Sequence, residues 1–208
     1  LGLALARRAD YDNAAQTLTE AHALAQALQQ RAGRAWCLAA RADVELRRKQ
    51  PLAAERFIAE ADAISEAPPS VRADLALLRG QLALLHGDGA GARAALQELD
   101  TALRDSDPMI DARATLIEAE SWLASLPTAP RRAARLALAA IRLARAGRLS
   151  EIEAQGLALL RNVRQSAAKR EVTRYADAVV DAEPAIWTWL EQVANSAPDA
   201  NGETAVTG

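Results

Sequence analysis

The sequence is poor in aromatic residues, which make up 3% of its 208 residues, and it contains a single cysteine, Cys37. One cysteine excludes an internal disulfide and any metal site built from several cysteines. Free cysteine is commonly a small, buried packing residue, and we assign that role to Cys37. The scarcity of aromatic residues also disfavours strands, which are enriched in aromatic and β-branched side chains.

The chain has no long hydrophobic run. No stretch approaches the roughly 18 uninterrupted apolar residues that a membrane span requires, and no charged and then apolar signal segment opens the sequence. We therefore expect a soluble protein. The sequence begins at Leu1, already inside a helical pattern, which leaves room for a leader, an anchor or a further domain before it. The compartment, bacterial cytoplasm or periplasm, stays open.

Neither sign of charge dominates, because 25 basic residues nearly balance 27 acidic ones and the formal net charge is −2. A nucleic-acid partner is therefore not expected, since such proteins ordinarily carry a strong basic excess. Nearly every basic residue is arginine, with only Lys49 and Lys169 as lysines. This preference is typical of G+C-rich coding and indicates a bacterial source, but it identifies no partner.

Alanine and leucine dominate the residues that are present, and hydrophobic residues reach 50%. Alanine has the highest helix propensity, so the composition predicts an all-α chain that is long enough to bury a continuous core. Small side chains in such a core let helices approach closely. Four tryptophans stand out as large contact surfaces: Trp36, Trp122, Trp187 and Trp189.

Small and apolar positions recur along the chain with a period of roughly 40 residues. The anchors of this pattern are Ala14, Ala54, Ala92 and Ala133, and the residues twelve before, four after and seven after each anchor are small or apolar. Such a period is expected of stacked helix pairs, in which each unit buries its open face on the next. Turn-forming and capping residues fall between the anchors. They delimit predicted helices at about 1–9, 12–30, 34–48, 51–66, 70–86, 89–104, 108–125, 129–146, 150–165, 167–181 and 184–195.

The first unit resembles a tetratricopeptide repeat. The resemblance lies in Leu1-Gly2, Ala9-Asp10-Tyr11-Asp12, Ala14, Leu18 and Ala21, and the third unit is similar through Gly80, Gly87-Asp88, Ala92, Leu96 and Leu99. The second and fourth units keep mainly the small-residue spacing. The units exceed the family's usual 34 residues or so. In addition, Arg41, Arg79 and Glu120 take the place that Leu1 holds in the first unit.

The resemblance covers residues 1–146 and implies a right-handed α-solenoid of antiparallel helix pairs. We expect about four to five repeats with a C-terminal capping helix. The predicted organisation is TPR-like repeats over 1–146, a basic helical extension with capping helices over 147–195, and a flexible tail over 196–208.

In tetratricopeptide-like proteins the first helix of each pair lines the concave face, so the resemblance also implies a binding groove. The predicted groove residues are Leu3, Arg7, Trp36, Asp43, Arg47, Leu77, Gln81, Leu84, Glu118 and Trp122. Large rings on a wall of small residues are suited to act as binding anchors. The alternative is that Trp36 and Trp122 fill gaps between alanine-rich helices, since a solenoid core also needs volume.

Arginines are concentrated in residues 131–174, where acidic residues are few. The residues predicted to form a basic docking surface are Arg131, Arg132, Arg135 and Arg142. Clustered arginines attract an acidic partner or an anionic membrane surface. The alternative is an ordinary solvated helix face.

The sequence contains no convincing catalytic constellation. His22 and His86 are isolated, and the glycine-rich segment 87–91 has neither a preceding strand nor a following Gly-Lys-Ser/Thr, so a turn between helices explains it. We therefore predict no catalytic residue, no metal and no cofactor. The predicted function is a non-catalytic scaffold or adaptor whose concave surface binds a segment of a partner protein. The alternative is a carrier or sensor that binds an apolar, lipid-like small molecule in the groove, with the bacterial cell envelope as one location for it.

Overall fold

The structure is a computed structural model, and it describes residues 2–64, 67–125 and 130–169. Every regular element in these ranges is an α-helix and none is a strand, which confirms the all-α prediction. The helices of the described ranges are α1 (Gly2–Arg7), α2 (Tyr11–Ala27), α3 (Arg31–Arg47), α4 (Pro51–Asp62), α5 (Pro69–Leu85), α6 (Gly89–Gln97), α7 (Thr101–Ser106), α8 (Pro108–Ser125), α9 (Pro130–Ala146) and α10 (Ser150–Lys169). Leu1, most of the helix predicted at 167–181, the capping helix at 184–195 and the tail at 196–208 lie outside the described residues.

Five of the connections between helices share one backbone conformation. Each has three residues, and its middle residue has a positive φ between 53° and 75°, at Ala9, Gln29, Lys49, Gly87 and Arg148. In all five, the N–H of the next residue donates to the carbonyl oxygen five residues earlier, at 2.7–3.1 Å. This Schellman arrangement satisfies carbonyls that a helix end would otherwise leave unpaired. The same short connection therefore joins α1 to α2, α2 to α3, α3 to α4, α5 to α6 and α9 to α10.

Two breaks between helices differ from the sequence prediction. The helix expected at 89–104 is two helices, because α6 ends at Gln97 and α7 begins after Asp100. Aspartate favours a helix start over a helix interior, and the carbonyl of Asp100 accepts the N–H of Arg104 at 3.0 Å. The break expected near residue 166 is absent, and α10 continues to Lys169. Residues 166–168 are Ser-Ala-Ala, which contain no strong helix breaker.

The described residues form four apolar core clusters, and each cluster joins two consecutive helices to the next long helix along the chain. They lie among α1–α3, among α3–α5, among α5, α6 and α8, and among α8–α10. Each of the four anchor alanines is fully buried and belongs to a different cluster: Ala14, Ala54, Ala92 and Ala133. The sequence period thus corresponds to the spacing of the clusters.

The positions twelve residues before the anchors require small side chains. Gly2, Ala42, Gly80 and Ser121 are all buried. A Cβ atom added at Gly2 would lie 2.8 Å from Leu18 Cγ, and one at Gly80 would lie 3.0 Å from Ile117 Cγ2. The helices approach too closely there for a larger residue, which explains why the pattern is kept in units that otherwise differ.

Contacts between helices follow chain order. Helices α1, α3, α5, α8 and α10, here called the first helices, contact one another in that sequence, while α2, α4, α6 and α9 each pack against the first helices on either side. This arrangement places the first helices side by side, and they supply the walls of the site described below. None of the helices in the described ranges is long and apolar enough to cross a membrane.

Candidate binding cavity

A cavity of about 360 Å³ lies among the first helices. Helices α1, α3, α5 and α8 form most of its wall, and the α9–α10 connection with the start of α10 closes one side. Its apolar lining comprises Leu3, Trp36, Ala39, Ala40, Leu78, Met109, Leu149 and Ile152. Its polar lining comprises Asp43, Arg47, Asp74, Gln81, Arg113, Arg148, Ser150, Glu151 and Gln155. The volume is in the range of small-molecule and side-chain binding pockets, and the lining is of mixed chemistry.

The structure brings half of the predicted groove residues together at this cavity, namely Leu3, Trp36, Asp43, Arg47 and Gln81. These five residues come from α1, α3 and α5, the first helices of the first three units. Their shared location follows from the side-by-side packing of those helices.

Three other predicted groove residues lie elsewhere. Leu77 is 0% exposed in the cluster among α5, α6 and α8, so it is a core residue, and its neighbour Leu78 lines the cavity instead. Consecutive side chains on a helix point about 100° apart, so Leu77 faces the core while Leu78 faces the cavity. Leu84 packs partly buried against the same cluster, and Glu118 pairs with Arg132 at 3.9 Å. The side chain of Arg7 lies outside the described ones.

Trp36 is the large aromatic side chain of the cavity wall, and it remains 44% exposed. Its neighbours on α3, among them Ala35, Leu38 and Ala39, are buried in the cluster among α3–α5. Trp36 therefore projects at the edge of the buried face instead of filling the core. A large ring left partly exposed in a concave site is typical of a binding anchor.

Charged side chains in the cavity form a continuous series of ion pairs. Arg47 donates to Glu151 at 2.5 Å and to Asp43 at 2.9 Å. Arg113 lies 3.6 Å from Asp43 and 3.6 Å from Asp74. The series connects α10 to α3, α8 and α5, and it links residues that are as many as 104 positions apart in the sequence.

The two ends of this series differ in how far nearby opposite charges offset the effect of burial on the pKa. Burial acts to lower the pKa of Arg47, but Asp43 and Glu151 outweigh it and hold that pKa above its ordinary value, so Arg47 stays charged. Burial raises the pKa of Asp74, and Arg113 offsets this only partly, because Asp43 and Asp107 raise it further. The negative charge of Asp74 is therefore only partly compensated.

Trp122 does not line the cavity. Two guanidinium groups stack on its ring, with Arg132 at 3.8 Å and Arg93 at 4.5 Å from the ring centre, and the ring packs against the cluster among α8–α10. The indole Nε1 atom is buried without a hydrogen-bond partner among the described residues. These contacts assign Trp122 to the packing of α8 on α9, which is the alternative that the sequence left open.

The predicted basic surface lies on the exposed side of α9. Arg132, Arg135 and Arg142 are exposed, opposite the buried alanines of that helix, and the side chain of Arg131 lies outside the described ones. Arg132 stacks on Trp122, and the nearby Arg145 pairs with Glu153 at 2.6 Å. Part of the positive charge is therefore engaged within the chain.

Four charged residues of the cavity were missed by sequence reasoning: Asp74, Arg113, Arg148 and Glu151. The repeat pattern contains a signal for Asp74, because it stands as far before the anchor Ala92 as Trp36 stands before Ala54. Glu151 resembles a residue in the first turn of a surface helix, since nothing in the sequence reveals that α10 begins beside α3. Arg113 has no comparable signal.

Comparison with protein-family models, with curated proteins and with solved structures finds no match to this chain. The assignment of function therefore depends on the cavity itself, on its exposed ring and on its paired charges.

Proposed function

We propose that the chain is a non-catalytic binding module in which a tetratricopeptide-like α-solenoid holds a short segment of a partner protein between its first helices. The observation that carries this proposal is the cavity of about 360 Å³ with Trp36 left 44% exposed in its wall. Helix-pair solenoids commonly use the surface formed by their first helices in this way.

Three features support the solenoid part of the proposal. The helices contact their neighbours in chain order, five connections share one conformation, and each sequence anchor lies in its own cluster. We propose a right-handed stack of about four to five repeats on this basis. The capping helix at 184–195 stays a prediction.

The mixed lining of the cavity supports a peptide over a wholly apolar ligand. An extended segment offers apolar side chains for Trp36, Leu78 and Met109, together with polar groups for the ion-pair series. A lipid chain would cover the same charged groups without giving them hydrogen-bond partners, which is unfavourable. The basic surface is not part of the proposal, because Arg132 already interacts with Trp122.

Selection from a library of displayed random peptides tests the proposal. We expect the protein to select short segments whose binding is weakened about tenfold or more by Trp36→Ala, because anchor rings in a concave site carry much of the affinity. Leu52→Ala is the matched control, since Leu52 is 74% exposed and does not line the cavity. Peptides that bind equally well to both variants would place the binding surface elsewhere.

Native mass spectrometry of the purified protein separates the two candidate ligands. The apolar part of the lining gives the lipid-carrier alternative its support. We expect the spectrum to show the mass of the chain without a bound molecule. A retained lipid-like molecule that is lost in Trp36→Ala would favour the carrier and would overturn the proposal of a partner segment.

A further inference from the structure

The carboxylates of Asp43 on α3 and Asp74 on α5 lie close together in the cavity wall, each 3.6 Å from Arg113. Asp43 and Asp74 line the cavity there, and Asp107, at the start of α8, is close enough to raise the pKa of Asp74. Arg113 is the cation placed between the first two, and Arg47 is already bound to Asp43 and Glu151. The third arginine of the lining, Arg148, lies on the α9–α10 connection. A charged group of a ligand that enters the cavity here therefore interacts with these carboxylates.

Arg113 does not satisfy the carboxylates that it faces. Its guanidinium nitrogens are 3.6 Å from Asp43 and 3.6 Å from Asp74, which is within ion-pair range but longer than a hydrogen bond. By contrast, Arg47 reaches its two carboxylates at 2.5 and 2.9 Å. The side chain of Asp74 is 34% exposed, so it retains capacity to accept hydrogen bonds from a group inside the cavity.

The apolar part of the same wall suits a long aliphatic side chain. Met109 is 37% exposed and Trp36 is 44% exposed, and both line the cavity that contains Asp74. Lysine and arginine bury their aliphatic stems on apolar surface while the charged head reaches a polar group. An aromatic face also attracts a cation directly.

We infer that the cavity takes a lysine or arginine side chain of the partner segment, with its charged head at Asp74 and its stem on the apolar wall that Trp36 and Met109 contribute. The inference rests on the proposed function and names the chemistry of the partner. At this position an acidic side chain would meet the only partly compensated carboxylate of Asp74, so the partner segment places a basic residue there, with apolar residues beside it.

Three synthetic peptides with the same apolar pattern test the inference. They carry lysine and arginine, glutamate, or glutamine at the variable positions, and fluorescence anisotropy measures their affinities for the full chain. We expect the basic peptide to bind about tenfold more tightly than the other two, the scale of one charge-assisted hydrogen bond. Asp74→Asn should remove most of this preference. The matched control Asp105→Asn, on the exposed side of α7, should keep it.

A pair of substitutions at Met109 tests the same charge without altering the ion pairs. Compared with Met109→Gln, which removes the same apolar contact without adding charge, Met109→Glu should strengthen the binding of the basic peptide and Met109→Lys should weaken it, with the opposite order for the acidic peptide. Thermal unfolding of each variant checks that the fold is retained. Because Met109 is partly exposed, these variants test the inference even where Asp74→Asn unfolds.

The outcomes distinguish the inference from the proposed function. Acidic or neutral peptides that bind as tightly as the basic one, and still depend on Trp36, would overturn the inference and leave the binding module in place. If no peptide binds in a manner that depends on Trp36, both the inference and the proposed function are wrong. If spermine binds as tightly as the basic peptide, the cavity is a site for a small cation and the partner segment is wrong.

Discussion

At the scale of single residues, Trp36 and Trp122 show how position decides the role of one side-chain type. Both lie on first helices, α3 and α8, and the resemblance predicts that both line the concave wall. Trp36 is left open in the cavity, whereas Trp122 packs against the core with Arg93 and Arg132 stacked on its ring. The start of α10 lines the cavity beside α3 and α8, and α8 contributes Met109 and Arg113 there in place of Trp122.

We expect the two alanine variants to separate stability from binding. Trp36→Ala should lower the free energy of unfolding by less than about 1 kcal/mol, because the ring is 44% exposed, while it reduces peptide affinity. Trp122→Ala should cost about 3 kcal/mol, as expected for a ring lost from packed surroundings. Urea unfolding followed by circular dichroism measures both values. Equal losses of stability would show that Trp36 is also a core residue and would remove the main evidence for the cavity as a site.

At the scale of elements, the short connections carry local strain. Ala9, Gln29, Lys49 and Arg148 hold a positive φ that glycine adopts without steric cost, and Gly87 is the glycine at the equivalent position of its connection. A non-glycine residue in this region is disfavoured by roughly 1–2 kcal/mol. The four connections keep side chains there because the hydrogen bonds and the packing of the adjoining helices hold the conformation.

Glycine at one of these positions should therefore stabilise the protein. We expect Gln29→Gly to raise the free energy of unfolding by about 1 kcal/mol, since Gln29 is exposed and the relief of strain outweighs the added freedom of the unfolded chain. Gly87→Ala is the converse control and should cost about 1 kcal/mol, because an added Cβ meets nothing within 4 Å and only the backbone is strained. Urea midpoints of the two variants measure the effect. A loss of stability in Gln29→Gly would mean that the side chain itself supports the turn.

Helix positions and anchors could be predicted from the sequence, because breakers and small residues act locally. Residues such as Ala54 and Gly80 must be small because two helices approach closely there, and this requirement appears in the sequence as a period of small residues. The break at residues 98–100 could not be predicted, since its signal is one aspartate in a helical pattern. For the site, the sequence could predict that α1, α3 and α5 contribute residues to one surface. It could not predict that Arg113 and Glu151 line the cavity, because their location depends on where α8 and α10 lie relative to α3.

At the scale of the whole molecule, the contact between Arg47 and Glu151 connects the early and late parts of the described chain. Most other contacts join helices that are neighbours in the sequence, whereas this pair spans 104 positions and lies at the cavity wall. The side chains are 28% and 42% exposed, so water screens the pair in part. Its contribution to stability is therefore modest, and its larger effect is to hold the start of α10 beside α3.

A double-mutant cycle measures this connection. From the unfolding free energies of the wild type, Arg47→Gln, Glu151→Gln and the double variant, we expect a coupling of about 1 kcal/mol, since the pair is hydrogen-bonded but partly exposed. Hydrogen exchange should become faster at the start of α10 in Glu151→Gln, while α4 keeps its protection, because the clusters among α1–α5 do not involve α10. The control cycle uses Arg145 and Glu153, which join the adjacent helices α9 and α10 at 2.6 Å. That pair should show a coupling of similar size without any change in exchange at the α3 wall of the cavity. Additive free energies for Arg47 and Glu151, together with unchanged exchange at α10, would mean that the two parts of the chain meet at the cavity without stabilising each other.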